Sequence, residues 1–97
     1  MAKGYWVAHV DVHDAQMFAK YRDANAAPIA EFGGRFLVRG GASEVKGGSL
    51  KARTVVVEFP SYAAAKACYD SPGYQAACKL RDAASQIDIL VIEGYEG

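Results

Sequence analysis

Apolar and polar positions alternate along Gly4–Val12, and the run is rich in aromatic and β-branched residues, so it predicts a first strand. The period then lengthens. Met17, Phe18, Tyr21, Ala24, Ile29 and Phe32 recur at helical spacing behind Asp14, whose side chain can cap the first turn. Pro28 falls inside that pattern. It lacks a backbone donor and crowds the preceding turn, so the helix is expected to bend or restart there. Gly33-Gly34 closes it. Arg35–Arg39 predicts a second strand. The glycines at 40, 41, 47 and 48 mark a loop or distorted hairpin in which Glu44 and Val45 are briefly extended. Thr54–Phe59 predicts a third strand, stopped by Pro60-Ser61. Ser61 is placed to cap a short Ala-rich helix reaching Tyr69. Ser71-Pro72 then restarts a helix to about Ala84, and Ile87–Ile92 predicts a fourth strand.

The order is therefore βαββαβ, with no internal repeat and no dividing linker. We expect one α+β domain over residues 1–97. Right-handed crossovers in this order give a ferredoxin-like fold: a four-stranded antiparallel sheet, order 4-1-3-2, with the helices on one face. Strand parity divides the side chains between the two faces. One set, Trp6, Ala8, Val10, Phe36, Val38, Val55, Val57, Phe59, Leu90 and Ile92, is wholly apolar and is expected under the helices. The other holds Tyr5, Val7, His9, Asp11, Leu37, Arg39, Thr54, Val56, Glu58, Ile89, Val91 and Glu93. A solvated face should be mostly polar, and this one carries too many aliphatics to stand bare. A second copy of the chain is the expected cover, making a homodimer through the open sheet face.

Composition sharpens this picture. A chain of 97 residues buries only about 60–65% of its unfolded surface. It gains stability from disulfides or from an interface. Cys68 and Cys78 are the only cysteines, both in helix-like sequence, where a secreted domain of this size carries more. They are expected to be free thiols. The opening residues lack the pattern of a secretory signal, and no apolar run approaches the ~20 residues needed to span a bilayer. A cytoplasmic location is expected, with no membrane partner. Lys plus Arg and Asp plus Glu both number 11, so the formal net charge is zero. That balance argues against a nucleic-acid partner, which calls for a basic stripe.

Several blocks resemble a known family. They are Tyr5-Trp6-Val7-Ala8, Phe32-Gly33-Gly34-Arg35-Phe36-Leu37-Val38-Arg39-Gly40-Gly41, Glu58-Phe59-Pro60-Ser61-Tyr62 and Cys68-Tyr69-Asp70-Ser71-Pro72-Gly73-Tyr74-Gln75. Together they resemble the uncharacterised domain-of-unknown-function 1330 family over nearly the whole chain. Gly73 departs from its pattern, where glutamate is expected. The resemblance implies a dimeric α+β barrel, in which two such sheets pack face to face. That superfamily includes cofactor-free monooxygenases, lactone isomerases and haem enzymes. It implies the fold and the dimer and no particular reaction.

Candidate chemistry rests on polar residues in an apolar setting. His9, Arg39 and Glu58 are assigned to the partner-facing side of the sheet, where a charge needs a partner or a purpose. Antiparallel pairing is expected to gather His9, Asp11, Arg39 and Arg53 at one end, and Glu58, Glu93, Arg35 and Tyr5 at the other. The first group reads either as an anion site with a histidine acid/base or as an ion-pair cluster fixing dimer register. Glu58 reads either as half of a carboxylate pair with Glu93 or as the partner of Arg35. Tyr21, Tyr69 and Tyr74 either line a pocket between helices and sheet or simply pack.

His9 and His13 lie roughly 13 Å apart on an ending strand, so no metal site is expected. The glycine pairs do not form a phosphate loop. No cofactor is expected. Two functions compete. One is a protein that binds or transforms a small organic anion through His9, Tyr21, Arg39, Arg53 and Glu58. The other is a non-catalytic module whose buried polar residues only specify the homodimer.

Overall fold

The computed structural model describes residues 1–97. Its elements are β1 (Gly4–Val12), α1 (Ala15–Glu31), β2 (Arg35–Arg39), β3 (Arg53–Phe59), α2 (Tyr62–Asp70), α3 (Pro72–Ala84) and β4 (Ser85–Glu93). All neighbouring strands are antiparallel in the order β2-β3-β1-β4, the expected order read from the other edge.

Local chemistry sets the boundaries. The Asp14 carboxylate accepts from Met17 N at 3.0 Å and opens α1. Of the bend or restart expected at Pro28, the restart is not found: α1 runs through it as one helix. Pro28 still serves its end, since its carbonyl accepts from Phe32 N. Gly33 makes the exit at φ +78°, a left-handed conformation that glycine adopts without a Cβ penalty. Ser71 works in both directions. Its hydroxyl donates to Cys68 O at 2.6 Å as α2 ends, and accepts from Tyr74 N as α3 begins. Residues 40–52 contain no strand, so the brief extension expected at Glu44-Val45 is not found.

The core lies between the sheet and the helices. Trp6 is at its centre, with ring centroids 5.0 Å from Phe59 and 4.7 Å from Tyr74. Its indole N–H donates to Ala65 O at 2.8 Å, so the polar edge of the largest core residue is satisfied. α2 rests on β1 and its neighbours, whereas α1 runs chiefly beside α3 and reaches the core through Phe18, Tyr21 and Ile29.

Two face assignments are corrected. On β4, Ile89 and Val91 lie opposite Ala8 and Trp6 and pack against the core. Leu90 and Ile92, expected inside, are about half exposed on the open face. Glu93 pairs with Gly4 and so lies on the opposite face from Glu58. On β2 a bulge intervenes. Phe36 lies opposite Val57, but Val38 lies opposite Val56 and Arg39 opposite Val55. Leu37 is the extra residue, and it reverses the parity beyond it. Val38 turns to the open face and Arg39 turns under α1.

Candidate functional site

Between α1 and the sheet lies a cleft walled by Trp6, Phe18, Ile29, Phe36 and Val57, with Tyr21 and Asn25 on its helix side. Its free volume is about 30 Å³. The apolar stripe of α1 makes one wall, because Phe18, Tyr21, Asn25 and Ile29 recur at spacings of three and four.

Three guanidiniums converge at the mouth: Arg22 from α1, Arg39 from β2 and Arg53 from β3. Arg39 stacks on the Phe36 ring with Cζ 4.0 Å from the centroid. Arg53 and Arg22 approach the Phe18 ring at 5.7 and 6.0 Å. None of the three forms an ion pair. Asp23 borders the outer depression beside them and pairs with none. Arg53 Nε is buried without an acceptor. Desolvation, then the charges of Arg22 and Arg39, lower the Arg53 pKa, so this is a site short of negative charge. Gly40, at φ +71°, makes room for it: a Cβ there would collide with the Arg53 guanidinium.

Behind the cleft runs a closed polar chain. The Tyr21 and Tyr74 hydroxyls are 2.7 Å apart. Arg81 Nη1 donates to Tyr74 at 3.3 Å and to Tyr69 at 3.2 Å. Arg81 is only 6% exposed. Burial works against its charge, yet the Tyr69 and Tyr74 hydroxyls carry its pKa above the ordinary value. Desolvation pushes Tyr21 up, with the Tyr74 hydroxyl pulling the other way.

The five residues expected at the site are divided between two faces. Tyr21, Arg39 and Arg53 line the cleft. His9 and Glu58 lie on the open face, and both are engaged. His9 Nδ1 lies 3.0 Å from Thr54 Oγ1. Glu58 accepts from Arg35 Nε at 3.0 Å and from the Tyr5 hydroxyl at 3.2 Å. The Arg35 hydrogen bond holds the Glu58 carboxyl below the usual carboxylate range. Asp11 accepts from Ala52 N rather than from an arginine. Asn25, Arg22 and Arg81 were not among the expected site residues. All three stand on helices, and the only trace of Asn25 and Arg81 in the sequence is a polar residue interrupting an apolar stripe.

The architecture is that of ferredoxin-like proteins. A Rhodopseudomonas palustris protein of unknown function superposes with a TM-score of 0.79 at 18% identity, covering 99% of this chain and 85% of that one. SnoaB, a cofactor-independent oxygenase from Streptomyces nogalater, gives 0.67 at 18% identity, covering 100% and 97%. A dimeric ferredoxin-like protein of unknown function from Thermobifida fusca gives 0.56 at 10% identity, covering 95% and 91%. At these identities the likeness is one of fold. No functionally curated protein matches the chain. Residues 3–95 match the domain of unknown function family DUF1330, and the chain belongs to that family.

Proposed function

We propose that this protein binds a small, largely apolar organic anion in the cleft between α1 and the sheet. The observation that carries the reading is the convergence of Arg22, Arg39 and Arg53, unpaired, on the mouth of an apolar cleft. Like charges held together in a half-buried setting are relieved by an anion, and a guanidinium forks readily onto a carboxylate. Arg39 and Arg53 take the charge, and Tyr21 with the aromatic walls holds the body. Tyr21 is the one hydroxyl in the cleft, and no imidazole or carboxylate lines it. These groups hold negative charge better than they remove a proton, which favours binding as the core of the function. The cofactor-independent oxygenase of the same fold makes chemistry on a bound anion the natural extension.

The test is a thermal-shift comparison of arene carboxylates with their neutral amides. Carboxylates at a hundred times Kd should stabilise the fold by about 2.7 kcal/mol, the amides far less, and Arg53→Met should erase the difference. Equal shifts from acid and amide, or none from any acid, would sink the reading.

The second function, a module whose polar residues specify a dimer, is favoured by the open face. There His9 and Glu58 pair internally, and Leu90, Ile92 and Val38 stand 52%, 49% and 41% exposed. A second copy covering that face accounts for those aliphatics, and two proteins of this fold are described as dimeric. The two functions are compatible, since the cleft opens on the opposite side. Val7→Asp, at the middle of the open face between Val56 and Leu90, should convert a dimer to monomer in sedimentation. A wild-type monomer at micromolar concentration would remove this part.

A further inference from the structure

We propose that the ligand carries a hydroxyl at the end opposite its anionic group, and that Asn25 recognises it by accepting that hydroxyl's hydrogen. This deepens the anion reading above and rests on it.

Asn25 is 4% exposed and lines the cleft from α1. Its Oδ1 is buried and receives no hydrogen bond from the chain. Leaving an amide acceptor unpaired in an apolar wall costs stability, and leucine on that stripe would pack without the cost. The position relative to the arginines gives the orphan atom a use. Arg22 and Arg53 gather on Phe18, and Asn25 follows Phe18 by seven residues, about 10 Å along the helix axis. The cleft thus has a cationic mouth, aromatic walls and an unpaired acceptor further in. A ring bearing an acid at one end and a hydroxyl at the other matches all three. An ether oxygen there faces Oδ1 acceptor to acceptor and is rejected.

The free space, about 30 Å³, is too small for a substituted benzene ring. A ring therefore enters only as the exposed Arg39 guanidinium leaves the Phe36 face and α1 eases off the sheet.

Calorimetric titration of the wild-type protein with benzoate, 4-hydroxybenzoate and 4-methoxybenzoate tests the inference. The hydroxyl should tighten binding roughly five- to tenfold over benzoate, and the methoxy group should weaken it. In Asn25→Leu the advantage of the hydroxyl should be lost. Equal affinity of benzoate and 4-hydroxybenzoate on the wild type would mean that water alone serves Oδ1, and would overturn the inference while leaving the anion site standing. An advantage retained in Asn25→Leu would overturn it too. Failure of every carboxylate to bind would overturn both. The wild-type series decides even if Asn25→Leu does not fold.

Discussion

The layer between sheet and helices has two ends, built from the same elements and treated differently. Around Trp6 and Tyr74 the polar groups are paired. The indole reaches Ala65 O, and Tyr21, Tyr74, Tyr69 and Arg81 form one hydrogen-bonded chain that ends on Asp82 at the surface. Around Phe18 they are not. Arg53 Nε and Asn25 Oδ1 are buried without partners, and three guanidiniums gather without an ion pair, even with Asp23 beside them. The first end is pressed shut by α2 and α3. The second keeps a cleft between α1 and the sheet. A buried charge that is fully hydrogen-bonded belongs to the fold, whereas one left short of partners points to something not in the chain.

If that contrast is right, substitutions at the closed end should cost much and at the open end little. Arg81→Met keeps most of the aliphatic stem and removes the donor shared by Tyr69 and Tyr74. It should cost about 2–3 kcal/mol, which for a domain of this size lowers the melting temperature by roughly 10 °C or more in a circular-dichroism melt. Tyr74→Phe strips the hydroxyl between Tyr21 and Arg81 and should cost about 1–2 kcal/mol. An unchanged melting curve for both would mean that the closed end owes nothing to its polar chain.

The closed end also contains both cysteines, free and buried. Burial pushes the Cys68 thiol up to about 12 and raises Cys78 as well. The unfolded thiols ionise near pH 8.5, so above that pH the unfolded chain releases protons that the folded chain keeps. Stability from these thiols is fully present below about pH 8.5 and is lost as pH rises towards 12. Urea midpoints measured from pH 7.5 to 10 should fall, and Cys68→Ala should flatten the slope. At pH 8 both thiols should resist a thiol reagent in the native protein and react, two per chain, on unfolding. Rapid native labelling would show that this end opens as readily as the other.

Much of the fold was legible because periodicity and capping residues agree with it. Asp14, Ser61 and Ser71 cap the helices where the sequence places them, and strand order follows from chirality. The site was legible only in part. Tyr21, Arg39 and Arg53 line one cleft, but Arg39 reaches it through a bulge at Leu37 that no residue type announces. The β4 error was avoidable. Beyond Ile89 both parities are apolar, yet Gln86 and Asp88 already assign the even positions to solvent. Asn25 and Arg81 were hidden because a polar residue on an apolar helical stripe reads as an interruption, while its meaning depends on what tertiary packing leaves beside it.

The smallest expected effect is the sharpest test of the open end. Arg53→Met removes the most enclosed of the three guanidiniums and keeps an unbranched stem against Phe18. Its pKa is lowered, so the folded state holds this charge less favourably than water does. The repulsion from Arg22 and Arg39 goes with it. Partly exposed charges are strongly screened, so the change should lie within about 0.5 kcal/mol of zero, on the stabilising side. Urea unfolding without added anions measures it. A loss above about 1 kcal/mol would make Arg53 a structural residue like Arg81, and the two ends would no longer differ. A small gain in stability, with the anion shift abolished in the same protein, would assign the charge to the ligand and not to the fold.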